Sequence, residues 1–357
     1  MQRTIKYAIV VSVVVALAGA GAYAAYVLTP APSPCAPLTS SAGAGSGIRS
    51  SSAASQFHLK PTNPAPPGRP ADSAAGPFEG PVINVVAAEN FWGSLVAQIG
   101  GAHVNVTSII TDPNTDPHEY QSNDSTAIAI KNAQYIVLNN VGYDSWADEL
   151  IAADGASGQT ILNIGNSLGV SVMGGIVSGN PHLWYNPVYV NETVAWMYHN
   201  LTTIAPDLAG YFTDQYHNLT ASLGTLYSEV TTIKNLFAGT EVASTETIFV
   251  YLANATGLDL VSPPAFMEAV GEGNDPPDPS VVTFQCQLES GQVKVLVVNA
   301  QTVTPLTTSM KEVAQAHNVT VTSVTETIVP PGTTFQAWMG GELYALYVAL
   351  DASALGR

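Results

Sequence analysis

Four residues combine a type and a setting that suit a metal ion. His118 lies in Asp116-Pro117-His118-Glu119-Tyr120 and His182 in Asn180-Pro181-His182-Leu183-Trp184. Glu246 lies in Ser244-Thr245-Glu246-Thr247, and Glu326 in Val324-Thr325-Glu326-Thr327 just before Pro330-Pro331-Gly332. Two imidazoles and two carboxylates make a set for one divalent transition metal. Neutral imidazole suits zinc and other late metals, and carboxylate suits harder ions such as manganese. Each histidine follows a proline, whose fixed φ stiffens a ligand-bearing loop. Taken singly, each of the four reads as an ordinary residue; the repeated Pro-His pairing raises the histidines above that. The other titratable candidates weigh less. His58 falls in a linker, while His103, His199, His217 and His317 read as plain surface or helix histidines. Glu119 reads as facing solvent, Trp92 and Trp184 as packing, and Glu268, Glu272 and Asp275 as part of a surface loop. A zinc-dependent hydrolase needs an open coordination position and a nearby base. Neither a His-Glu-x-x-His motif nor a nucleophile elbow is present to support that alternative.

Short apolar runs alternate with helical patterns, and these elements must place the four residues. Val82–Ala88, Val104–Ile110 and Tyr135–Asn139 read as buried strands, with helices over Asn90–Ile99 and from Ser125, a possible N-cap, to Asn132. Gly100-Gly101 ends the first helix. Tyr211 to Leu236 keeps helical spacing through Phe212, Leu219, Leu223, Leu226, Val230 and Ile233, and reads as a long spine. The strand pattern then restarts at Thr247–Leu252, Val293–Asn299 and Val319–Val324, and Gln336–Leu350 closes as a helix. The expected fold class is α/β: two lobes, each a mainly parallel sheet flanked by helices, joined by a long spine helix. Ligands of such sheets sit in loops at the C-terminal strand ends, where the four candidates fall.

The organisation expected over the 357 residues is a signal peptide or membrane anchor at 1–28 and a disordered Pro/Ser/Ala/Gly tether at 29–80. An N-terminal metal-binding lobe at 81–205, a linking helix at 206–238 and a C-terminal metal-binding lobe at 239–357 follow. Arg3 and Lys6 precede an uncharged run from Tyr7 to Leu28, long enough to span a bilayer, and Ala22-Tyr23-Ala24 offers a cleavage site. Either outcome places the remainder outside the cytoplasm. Pro32-Ser33-Pro34 before Cys35 departs from a lipobox, and a Cys35–Cys286 disulfide stays open. Asn-X-Ser/Thr acceptors at Asn105, Asn123, Asn191, Asn200, Asn218, Asn254 and Asn318 fit a glycosylated exterior. Only 10% of residues are charged, against roughly 25% in ordinary domains. The net charge of -17 leaves little to neutralise phosphates, so no nucleic-acid partner is expected.

From Val82 to Leu350 the chain resembles the zinc/manganese-binding solute receptors of ABC importers. Val85-Val86-Ala87-Ala88-Glu89-Asn90-Phe91-Trp92-Gly93 is similar to that family's first strand and helix. The two Pro-His segments resemble its first two ligand loops, and the Glu246 and Glu326 segments its last two. The resemblance implies one bound Zn or Mn ion as cargo, partnership with an ABC permease and its ATPase, and no enzymatic activity. A surface adhesin or structural protein on the same fold is the alternative. Three departures stand out. No histidine lies between His118 and His182, where many zinc-specific members carry a His-rich loop; Asn186 replaces a frequent Asp; and Glu326 stands where Asp is common.

Overall fold

The computed structural model describes residue 35 and residues 82–113, 120–171 and 179–356. In the first lobe the strands are β1 (Ile83–Glu89), β2 (Val104–Ile110), β3 (Tyr135–Leu138) and β4 (Thr160–Asn163), all parallel in the order β2-β1-β3-β4. The helices are α1 (Asn90–Gly100), α2 (Asp124–Asn132), α3 (Ser145–Asp154), α4 (Ile164–Leu168) and α5 (Pro187–Ile204). β1 is covered on both faces, which explains its nearly unbroken apolar run. α1 ends at Gly101, whose φ of 54° favours glycine; a Cβ there would also meet the Tyr211 hydroxyl at 2.1 Å.

α6 (Ala209–Phe237) follows and spans about 44 Å at 1.5 Å per residue. It buries Phe212, Leu219, Leu223, Leu226, Val230 and Ile233, the stripe read from the sequence. It packs against α1 and α5 of the first lobe and against two later helices. Those are α7 (Val250–Thr256) and α11 (Phe335–Ala354). The second sheet contains β5 (Glu241–Ser244), β6 (Asp259–Leu260), β7 (Val295–Asn299) and β8 (Thr320–Val324), parallel in the order β6-β5-β7-β8. α8 (Pro264–Gly271), α9 (Asp278–Glu289) and α10 (Pro305–Ala316) complete it.

Several expectations need correction. Thr247–Leu252 is not a strand: Thr247–Phe249 is a 3-10 turn leading into α7, and the strand lies just before it. The first four residues of α7, Val250–Ala253, are all buried, so this stretch shows no polar face to reveal a helical period. The cap of α2 is Asn123, which accepts from Ser125 N–H and Thr126 N–H, rather than Ser125. His103 is no surface residue. It is 5% exposed against Tyr211 and Phe212, and burial pulls its imidazole down from 6.5. Cys35 and Cys286 form a disulfide, which leaves Cys35 no thiol to carry a lipid. Among the described residues no helix is long and apolar enough to cross a membrane; the run Tyr7–Leu28 lies outside them.

The spine should be sensitive to lost volume. Leu223 is 0% exposed, so Leu223→Ala is expected to cost about 2–5 kcal/mol in chemical denaturation. A loss below about 1 kcal/mol would show that α6 is not the common core element.

Candidate metal centre

His182, Glu246 and Glu326 reach one point from three loops, each 0% exposed, with one ligand atom from each within 4.8 Å of the others. Glu246 follows β5 and caps the 3-10 turn; Glu326 follows β8. His182 comes from the first lobe and precedes the short 3-10 turn Leu183–Tyr185. His118 and Glu119 lie outside the described residues. The centre therefore sits beyond the C-terminal ends of parallel strands, in line with the general rule for such sheets.

Asn180 fixes the His182 ring. Its Nδ2 donates to the Thr247 carbonyl at 2.7 Å, so its Oδ1 faces the histidine as an acceptor. That Oδ1 accepts from the His182 backbone N–H at 3.0 Å and lies 2.6 Å from Nδ1. Nδ1 therefore donates to Asn180, and Nε2 faces Glu326 Oε1, 3.4 Å away. Tyr251 donates to the Asn180 carbonyl at 3.1 Å, tying the same loop to α7. Trp184 packs edge-on against His182 with centroids 5.3 Å apart, and Phe91 stacks on Trp184 at 4.0 Å. These rings keep water from that side.

The carboxylates are held by a residue that the sequence did not single out. Asn299, the last residue of β7, donates from Nδ2 to Glu246 Oε1 and to Glu326 Oε1, the latter at 2.7 Å. The same nitrogen lies 2.9 Å from Thr302 Oγ1. Its Oδ1 accepts from Gln301 N–H at 2.9 Å, which sets the amide's orientation. Tyr143 crosses from the first lobe and donates to Glu326 Oε2 at 2.8 Å. Asn299 closes an apolar strand with a buried amide, and that break in the pattern is the one sequence signal pointing to it. Tyr143 had none. Asn186 proves to be a helix cap, accepting from Val188 and Tyr189 N–H ahead of Pro187.

A second buried carboxyl supports the Glu326 loop. Glu342 of α11 accepts from Thr325 N–H and Thr325 Oγ1, both at 2.9 Å, and from Tyr185 at 2.6 Å. Burial pushes its carboxyl up to about 7, against the lowering effect of those hydrogen bonds. Near β1 and β3, burial likewise raises Asp144 to about 6 and holds Glu89 well above the carboxylate range, with Asp144 adding repulsion to Glu89.

Two outcomes are expected. Asn299→Ala removes a donor shared by Glu246 and Glu326 and should destabilise the metal-free chain by about 1–3 kcal/mol. Equal metal-free stability would remove Asn299 from this role. The second concerns pH. A carboxyl raised in the folded state binds its proton more tightly there than in the unfolded chain, so stability falls as pH rises from 4.5 to about 7. Glu342→Gln should flatten that fall in metal-free thermal melts. Asp144 and Glu89 act in the same direction, so the slope should shrink without vanishing. An unchanged slope would contradict the assignment.

Comparison with known proteins agrees with this architecture. The profile of the ZnuA family, described as zinc-uptake complex component A, periplasmic, matches residues 85–349. The periplasmic zinc binding protein TroA from Treponema pallidum superposes with a TM-score of 0.64 at 14% identity, over 76% of this chain and 99% of that one. The solute-binding protein FpvC from Pseudomonas aeruginosa, solved with Mn2+, gives 0.63 at 19%, over 77% and 100%. The laminin binding protein Lmb of Streptococcus agalactiae, described as bifunctional with adhesin and metal transporting activity, gives 0.62 at 18%, over 75% and 99%. At such identities the structures speak for the fold, two parallel four-stranded sheets with a long helix between them; the profile speaks for the family. With most of its folded length matched, this chain belongs to the zinc-uptake component A family of periplasmic metal-binding receptors.

Proposed function

We propose that the chain is an extracytoplasmic receptor that captures one Zn(II) or Mn(II) ion between its lobes and delivers it to an ABC permease with its ATPase. His118, His182, Glu246 and Glu326 are its ligands in this reading. The observation that carries it is the convergence of His182, Glu246 and Glu326, from both lobes, at zero exposure. Three electron-pair donors aimed at one buried point repel one another unless a cation or protons lie between them. TroA's description as zinc binding and the Mn2+ bound to FpvC support a divalent cargo.

The chain's residues divide the work of binding. Asn180 orients the imidazole, and Asn299 and Tyr143 hold the carboxylates before the ion arrives. Preorganisation of this kind lowers the ordering cost of capture. A spine packed into both lobes favours small tilts over a wide hinge, so release rests on loosening the ligand cluster. The Cys35–Cys286 disulfide fits an oxidising compartment outside the cytoplasm. We read residues 1–28 as the export signal or retained membrane anchor and the Asn-X-Ser/Thr sites as glycan acceptors. A closed, fully ligated ion suits cargo better than hydrolysis, which supports a non-enzymatic receptor.

The test is calorimetric titration of the metal-free full chain with zinc and manganese at two pH values. One ion should bind per chain, and His182→Ala with Glu326→Gln should weaken it by more than about 100-fold. Lowering the pH from neutral to mildly acidic should weaken binding at least about tenfold, because the ligands must be deprotonated. A folded chain that binds neither ion would overturn the receptor reading and favour the adhesin or structural alternative.

A further inference from the structure

Where the folded body is held depends on the disulfide more than on the start of β1. Without it, the chain enters the body at Val82, just ahead of β1 in the first lobe, and 53 residues (29–81) separate that point from the end of the apolar run at Leu28. A chain of that length can reach at most about 180 Å. With Cys35 bonded to Cys286, the first covalent connection to the body falls on α9 in the second lobe. Only Thr29–Pro34 then separates it from the apolar run, six residues that reach about 20 Å at most.

α9 is suited to carry that load. Phe284 and Leu288 on it are 0% exposed, and Phe284 packs edge-on against Phe266 of α8 with centroids 4.7 Å apart. Leu296 of β7 belongs to the same apolar cluster, so Cys286 is coupled to the second sheet rather than to a loose surface turn.

We propose that the Cys35–Cys286 disulfide makes the second lobe the receptor's point of attachment to the lipid bilayer, so that residues 36–81 are not needed to hold the body there. This rests on the reading of the N-terminal run as a retained anchor. The consequence is a leash several-fold shorter than the linker's length implies. A shorter leash raises the effective concentration of the body at a membrane-embedded partner. It also makes retention sensitive to reductant whenever the 36–81 loop is cut.

The test uses the full chain in phosphatidylcholine vesicles, with a site for a sequence-specific protease inserted between Ser55 and Gln56. After cleavage the body should still co-float with the vesicles, and dithiothreitol should then release nearly all of it. A companion with the site between Pro32 and Ser33 should release the body on cleavage alone. Release of the first variant without reductant would overturn the attachment. If the uncut chain does not co-float, the anchor reading fails and this proposal with it. Metal titration of the same samples reports separately on the receptor reading and shows that each inserted variant is folded.

Discussion

The structure is organised around an electrostatic problem. Two carboxyl groups, Glu246 and Glu326, and Nε2 of His182 meet with no exposure to water. Burying like charges together costs several kcal/mol unless hydrogen bonds or a counter-charge offset it. Neutral donors, the Asn299 amide and the Tyr143 hydroxyl, offset part of that cost. Neither supplies positive charge. A divalent cation would supply it, and the site's geometry is most economical with one present.

Solving that problem requires both lobes at once. Glu246 and Glu326 come from the second sheet, while His182 and Tyr143 come from the first lobe. The lobes are joined away from the cluster too: Asn90 accepts from Ile328 N–H at 2.9 Å, Ser94 Oγ from Phe335 N–H at 3.0 Å, and the Tyr185 hydroxyl donates to Glu342 at 2.6 Å. α6 packs into both, so any motion that separates the ligands also disturbs these bonds and the spine's apolar seam. In the proposed receptor, affinity and lobe closure are thereby linked.

Much of this was legible in the chain. β1, β2 and β3 announced themselves because strands buried on both faces read as apolar runs, and α6 because a 29-residue stripe keeps its period. His182 stood out through the repeated Pro-His pairing, and Glu246 and Glu326 chiefly through the family resemblance. The second lobe's start was misread because Thr247–Ala253 is an unbroken buried run and looks like a strand when only apolarity is counted. Asn299 and Tyr143 were overlooked for a different reason. Their roles come from contacts across 27 and 183 residues of sequence, and no local pattern encodes such a partner. The disulfide belongs to the same class, joining residues 251 apart.

The most direct test of the central claim is the coordination shell itself, read by X-ray absorption at the zinc edge on the loaded chain. The account predicts a shell of nitrogen and oxygen only, with the multiple-scattering signature of two imidazoles, zinc–nitrogen distances of about 2.0–2.1 Å, and loss of one imidazole in His182→Ala. A shell of water oxygens, or one that His182→Ala leaves unchanged, would contradict it.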